Sequence, residues 1–100
     1  MRYRVVQTAI FQSLLKELLF NLSQKYSKKV AIEYDEFLKS QLKMLEEYPF
    51  MWPLDSVQEF KDYHLLISRK NIIFYRIDEE KKMVICEIIA SSDQNYLNLK

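Results

Sequence analysis

The chain contains no glycine in 100 residues. Loops that wrap a phosphate need glycine because a Cβ would hold the ligand off the backbone, so neither a P-loop nor a dinucleotide-binding fingerprint is present. Reversals must then be made by Asn, Asp, Ser and Lys, of which Asn and Asp best tolerate positive φ. Cysteine is also scarce. Cys86 alone cannot form an internal disulfide, and within the apolar run MVICEIIA it reads as a small buried hydrophobe. One histidine beside that one cysteine leaves no ligand set of the usual zinc kind, so neither metal nor cofactor is expected. Charge of one sign is not in excess: Lys and Arg total 15 against 14 Asp and Glu, a formal net charge of +1. No whole-molecule field announces nucleic acid or an anionic membrane, and any anion binding must rest on a local patch. Long hydrophobic runs are missing too. MRYRVVQTAIF lacks the apolar segment of a signal peptide, and the most apolar helix is interrupted by Lys16, Glu17 and Asn21. A cytoplasmic protein without a membrane span is expected, forming one domain over residues 1–100.

What is present is organised around the stretch from Tyr63 to Ala90. It reads YHLLIS, RKN, IIFYRI, DEEKK, MVICEIIA: three strand-length apolar runs rich in Ile, Val, Phe and Tyr, separated by polar breaks. This pattern predicts an antiparallel meander. Upstream, Tyr3 and Val5 alternate with Arg2 and Arg4 as a short first strand, and Thr8 stands where a helix N-cap belongs. Phe11, Leu14, Leu15, Leu18, Leu19 and Leu22 then recur at spacings that put them on one helical face. After the break KYSKK, with Ser27 as cap, a second helix is predicted from Val30 to Tyr48, its apolar face carrying Ala31, Tyr34, Leu38, Leu42 and Leu45. Lys28 and Lys29 at the positive end of that helix are a small hint of a nearby anion.

Pro49 is expected to end the helix, and YPFMWPLDSV, with both prolines of the chain, reads as a loop whose aromatics pack on the core. In the meander, Leu65, Ile67, Ile73 and Tyr75 are apolar, and so is the opposite set Leu66, Ile72, Phe74 and Ile88. Both sheet faces therefore want cover, and a helical hairpin can dress only one. The fold class that follows is α+β, in the order β-α-α-β-β-β, with a helical hairpin on one face of a small, mainly antiparallel sheet. A self-associating or other protein partner could complete it.

This order of elements resembles the RelE/ParE superfamily, the toxins of type II toxin-antitoxin and plasmid-stabilisation modules. The resemblance spans nearly the full chain. It is carried by the strand ending at Thr8 before a leucine-rich helix, by LKMLEEYP from Leu42, by the Pro-containing loop, by the pair Tyr63 and His64, by IIFYRID from Ile72, and by Tyr96 past the last strand. For the RelE branch, ribosome-dependent mRNA endonucleases, the resemblance implies basic residues on the meander and a Tyr near the C-terminus. His64 and Tyr96 fall on such positions and are the implied catalytic candidates. Leu66, Ile72 and Ala90 fall where that branch would want cations, unless Arg69, Lys70 or Arg76 substitute from neighbouring positions as anion- or target-binding residues. Cleavage of RNA needs a proton removed, a proton supplied and phosphate charge stabilised, so the loss of cations bears directly on activity.

The ParE branch, associated with inhibition of DNA gyrase, resembles the same scaffold without a nuclease site. The resemblance thus implies a ParE-like toxin acting by binding, with an RNA-cleaving toxin of the RelE kind as the alternative and a non-catalytic interaction domain as the third reading. The implied partners are a cognate antitoxin, gyrase or the ribosome with its mRNA, and, in a homo-dimer, a second copy of the chain.

Overall fold

The computed structural model describes residues 2–54 and 62–91. Strand β1 (Arg4–Gln7) leads into helices α1 (Ala9–Lys25) and α2 (Lys28–Met44), then come β2 (His64–Ser68), β3 (Asn71–Asp78) and β4 (Met83–Ser91). The sheet order is β1-β4-β3-β2. β2, β3 and β4 pair antiparallel, while β1 runs parallel to β4 with Val5 opposite Val84. The predicted α+β order is the one observed.

Both predicted caps are in place. The Thr8 hydroxyl accepts from the Phe11 amide at 3.1 Å and the Ser27 hydroxyl from the Val30 amide at 3.2 Å, each satisfying a helix-start N–H that has no helical acceptor. Helix α2 stops at Met44, four residues before the predicted end at Tyr48. Leu45, Glu46 and Glu47 donate instead to carbonyls three residues back, a tighter turn that lets the Glu46 carbonyl accept from the Tyr3 amide at 2.8 Å. Tertiary hydrogen bonding to Tyr3, just before β1, outweighs helix propensity there.

The hairpin covers one sheet face. Phe11 and Leu15 of α1 and Tyr34, Leu38 and Leu42 of α2 pack with Leu45 against Leu66, Ile73, Tyr75, Val84, Cys86 and Ile89. Each fully buried side chain of this size contributes about 1.5–3 kcal/mol over leaving it in water. Leu14, Leu18, Leu19 and Leu22 are only partly buried at the margin, so the leucine stripe of α1 is wider than the surface it covers. On the face turned away from the helices, Ile72, Phe74 and Ala90 form a second, smaller cluster with Tyr63, Leu65 and Ile88 against it. Apolar residues thus lie on both sides of the sheet as expected, but the β2 residues are exchanged. Leu66 faces the helices with Ile73 and Tyr75, and Leu65 lies with Ile72, Phe74 and Ile88, because the pairing sets Leu66 opposite Ile73 and Leu65 opposite Phe74.

Reversals depart from expectation. Among the described residues, positive φ occurs at Arg69 and Lys82, not at Asn or Asp. Asn71 is held in β3 by pairing with Ser68 and by donating to the Tyr34 hydroxyl at 3.1 Å, which leaves the left-handed position to Arg69.

Candidate functional site

The register of β3 against β4 shifts between Phe74 and Tyr75: Phe74 faces Ile88 and Tyr75 faces Cys86, so Glu87 is the extra residue of a β-bulge. A bulge turns its side chain out of the regular alternation. Glu87 here meets Arg76 of β3, whose Nε–H donates to Oε2, on the face away from the helices. Tyr63, at the entry to β2, packs edge-on against Phe74 at 6.1 Å between ring centroids and lies near enough to feel the charges of Glu87 and Arg76. Burial first, and then the negative charge of Glu87, push the Tyr63 phenol above its usual range, with Arg76 opposing. Phenol, carboxylate and guanidinium are thereby brought together over an apolar floor of Phe74 and Ile88. The carboxylate accepts from Arg76 and neutralises its guanidinium.

Glu87 escaped the sequence reading. Its signal was available as a lone charge in MVICEIIA, where a residue that breaks the alternation of a buried strand marks a bulge. Arg76 belonged to the predicted set and Tyr63 to the motif that carried the resemblance.

His64 lies elsewhere. It pairs with Tyr75 on the helix-covered side of the sheet, opposite the face that carries Arg76. Its ring stacks on Tyr75 at 5.1 Å and 16°, and Nδ1 lies 2.6 Å from the Trp52 carbonyl. A carbonyl only accepts, so Nδ1 carries the proton of this bond. Tyr75 in turn donates from its hydroxyl to the Pro49 carbonyl at 2.8 Å, and Phe50 sets its edge against His64 at 5.9 Å. The predicted packing of the loop aromatics is met by Trp52, partly buried against the core, while Phe50 and Met51 stay more than half exposed. His64 and Tyr75 thus fasten the loop to the sheet. Tyr96 lies outside the described residues.

Leu66, Ile72 and Ala90, where the resemblance implies cations, are apolar residues in buried places. Leu66 is enclosed under the helices, and Ile72 and Ala90 are buried in the second cluster. Arg69 and Lys70 sit in the β2–β3 reversal, at the opposite end of β3 from Asp78 and five or more residues along the chain from Arg76, so the three predicted cations do not form one site. The Arg69 guanidinium lies over Phe37 at 4.4 Å and Tyr34 at 5.9 Å. Lys70 lines a cleft of about 360 Å³ between α1 and the ends of β3 and β4, with Lys25, Tyr26, Asn71 and Ser91. Among the described residues there is no cluster of His, Cys, Asp and Glu fit to hold a metal ion, and no helix is long and apolar enough to cross a membrane.

Among solved structures, the chain is similar to one in the crystal structure of the toxin-antitoxin complex RelBE2 from Mycobacterium tuberculosis, with a TM-score of 0.62 at 18% identity. The superposition covers 91% of this chain and 99% of the other. The sequence matches no protein-family model, and none of the curated proteins matches it. The two chains share a fold.

Proposed function

We propose that the protein is the toxin of a type II toxin-antitoxin pair, that it acts by binding a cellular protein such as DNA gyrase, and that a cognate antitoxin neutralises it. The shared fold with a toxin-antitoxin complex, over nearly the whole of both chains, supports the toxin reading. One observation favours binding over RNA cleavage. On the face where cations would be needed, the sheet carries the packed cluster Ile72, Phe74 and Ala90, and Arg76 is already bonded to Glu87. Removing even one preorganised charge stabiliser from a site typically costs about 10²–10³-fold in rate.

The test is supercoiling by purified gyrase with and without the protein, run beside an mRNA-integrity assay in a translating extract. Inhibited supercoiling with intact mRNA is expected. Full supercoiling at saturating protein would refute the gyrase reading, and unhindered growth on expression without a partner would refute the toxin reading itself.

The Tyr63–Glu87–Arg76 cluster favours a second reading, RelE-like mRNA cleavage, because a carboxylate beside a guanidinium can take a proton while phosphate charge is held. Under that reading mRNA is cut by the wild-type protein and spared by Glu87→Gln. Equal cutting by both would remove the cluster from the chemistry.

A further inference from the structure

The near-neutral total conceals a local group of cations. Lys25 ends α1, Lys28 and Lys29 begin α2, and the intervening residues are only Tyr26 and Ser27. The β2–β3 reversal brings Arg69 and Lys70 to the same end of the molecule: Lys25 and Lys70 line one cleft. Arg69 rests over Phe37 and Tyr34 of α2, and the Tyr34 hydroxyl is fixed 2.8 Å from the Ser68 hydroxyl. All five of these cations are exposed, and among the described residues none makes an ion pair, whereas Arg2, Lys39 and Arg76 each do. Glu17 is the carboxylate on the cleft wall. Asp78, Glu79 and Glu80 in the β3–β4 reversal and Glu46 and Glu47 after α2 stand at the other end, while Glu33, Asp35 and Glu36 follow Lys28 and Lys29 along α2 without pairing with them. β3 spans its eight residues between the two ends, roughly 25 Å at the usual strand rise.

The basic end also presents an aromatic ring. Tyr26 is 58% exposed, with the Lys25 ammonium 5.5 Å from its ring centroid. Lysines that meet a polyanion backbone around a ring on which a base can stack are the combination used for single-stranded nucleic acid. An acidic protein segment would use the lysines but would draw no benefit from an exposed flat ring. Asn71 and Ser91 add polar groups on the cleft wall.

We propose that the end formed by Lys25, Tyr26, Lys28, Lys29, Arg69 and Lys70 binds single-stranded nucleic acid, phosphates on the lysines and a base stacked on Tyr26. The site is separate from the Tyr63–Glu87–Arg76 cluster and does not depend on the toxin reading. The lysines at the start of α2 would otherwise oppose its dipole, and bound phosphate removes that cost.

The experiment is fluorescence anisotropy of labelled 20-nucleotide uridine and thymidine strands with the full-length protein, at salt from 25 to 200 mM. Saturable binding that weakens with salt is expected. Lys28→Gln/Lys70→Gln should bind more weakly, with the log–log salt slope shallower by about 1.4, at roughly 0.7 per phosphate contact on a single strand. Lys43→Gln/Lys81→Gln, an equal charge change at the other end, should leave the slope alone. Tyr26→Ala, which keeps the backbone bond that closes α1, should weaken binding between about 5-fold and 100-fold with the slope unchanged. Tighter binding of the uridine strand assigns the ligand to RNA, and equal binding assigns it to either nucleic acid through shared chemistry. The proposal is overturned if neither strand binds saturably at low salt, or if the two double variants lose affinity equally. It is likewise overturned if Tyr26→Ala changes nothing while a glutamate homopolymer binds as tightly, which would make this end a dock for acidic protein. Circular dichroism of each variant separates lost binding from lost fold.

Discussion

Arg69 and Lys82 hold φ angles of 56° and 53°, the left-handed region in which a side chain crowds its own carbonyl at a cost of about 1–2 kcal/mol. A chain without glycine accepts this cost in both of its tight hairpin reversals. The two positions differ in what their side chains return. Arg69 occupies the first central place of the β2–β3 reversal and lies over Phe37, a cation–π contact that offsets part of the strain. Lys82 lies over Tyr3 at 5.3 Å, a longer contact. Lys82→Gly should therefore stabilise the protein by about 1 kcal/mol, and Arg69→Gly by less. Thermal unfolding of the two variants checks the order, with a rise of about 4–8 °C per kcal/mol for a domain near this size. A larger gain from Arg69→Gly would mean that its aromatic contact contributes nothing.

At the scale of elements, the helices and their starts were legible because their causes are local. A hydroxyl three residues before a free amide, and apolar residues at spacings of three and four, act within a single turn or face. The meander was legible for the same reason, since each run and each break is contiguous in sequence. The parallel pairing of β1 with β4 was not, because nothing in RVVQ names a partner almost eighty residues away. Nor was the bulge at Glu87, which exists only as a mismatch between two strands. Thr8 joins the local and distant causes: its hydroxyl caps α1 and lies 3.4 Å from the Glu87 carbonyl, while its amide donates to the Cys86 carbonyl at 3.1 Å. Thr8→Ala should cost more than the about 1 kcal/mol usual for a cap, because the bulge carbonyl also loses a neighbour. Ser27→Ala, at an exposed cap with no second role, should cost no more than that usual amount. Urea unfolding of the pair compares them, and equal losses would show that Thr8 does nothing beyond capping.

The loop after α2 is fixed from the sheet side. His64→Phe keeps a ring on Tyr75 but removes the donor to the Trp52 carbonyl. A buried carbonyl left without a donor costs about 1–3 kcal/mol, and the part-buried Trp52 carbonyl falls toward the low end. The protein has a single tryptophan, so its emission reports this loop alone. A red shift in His64→Phe ahead of global unfolding is expected, and an unchanged emission maximum would mean that the loop holds without the histidine.

At the scale of the whole molecule, the groups among the described residues whose ionisation the fold opposes all titrate on the alkaline side. Burial pushes the Cys86 thiol up to about 12. It also carries the Tyr75 phenol well above its usual range, hydrogen bonding from the Trp52 backbone opposing only in part. Tyr63 moves the same way, less enclosed. In the unfolded chain a cysteine loses its proton near pH 8.5 and a tyrosine near 10, each value about average for a free side chain. The sign follows from counting protons. Above those values the unfolded state has released protons that the folded state still holds, so raising the pH favours unfolding. Below about pH 8.5 both states keep these protons, and this contribution to stability is complete. Urea unfolding from pH 7 to 11 should therefore show a plateau and then a fall, with each fully enclosed group adding about 1.4 kcal/mol per pH unit once its unfolded form is ionised. Tyr75→Phe loses the bond to the Pro49 carbonyl and so starts lower at pH 7, yet it should decline less steeply above pH 10, because one of the withheld protons is gone. The two curves should converge as pH rises. Parallel curves would mean that the alkaline limb is set by repulsion among surface charges and owes nothing to the buried phenol.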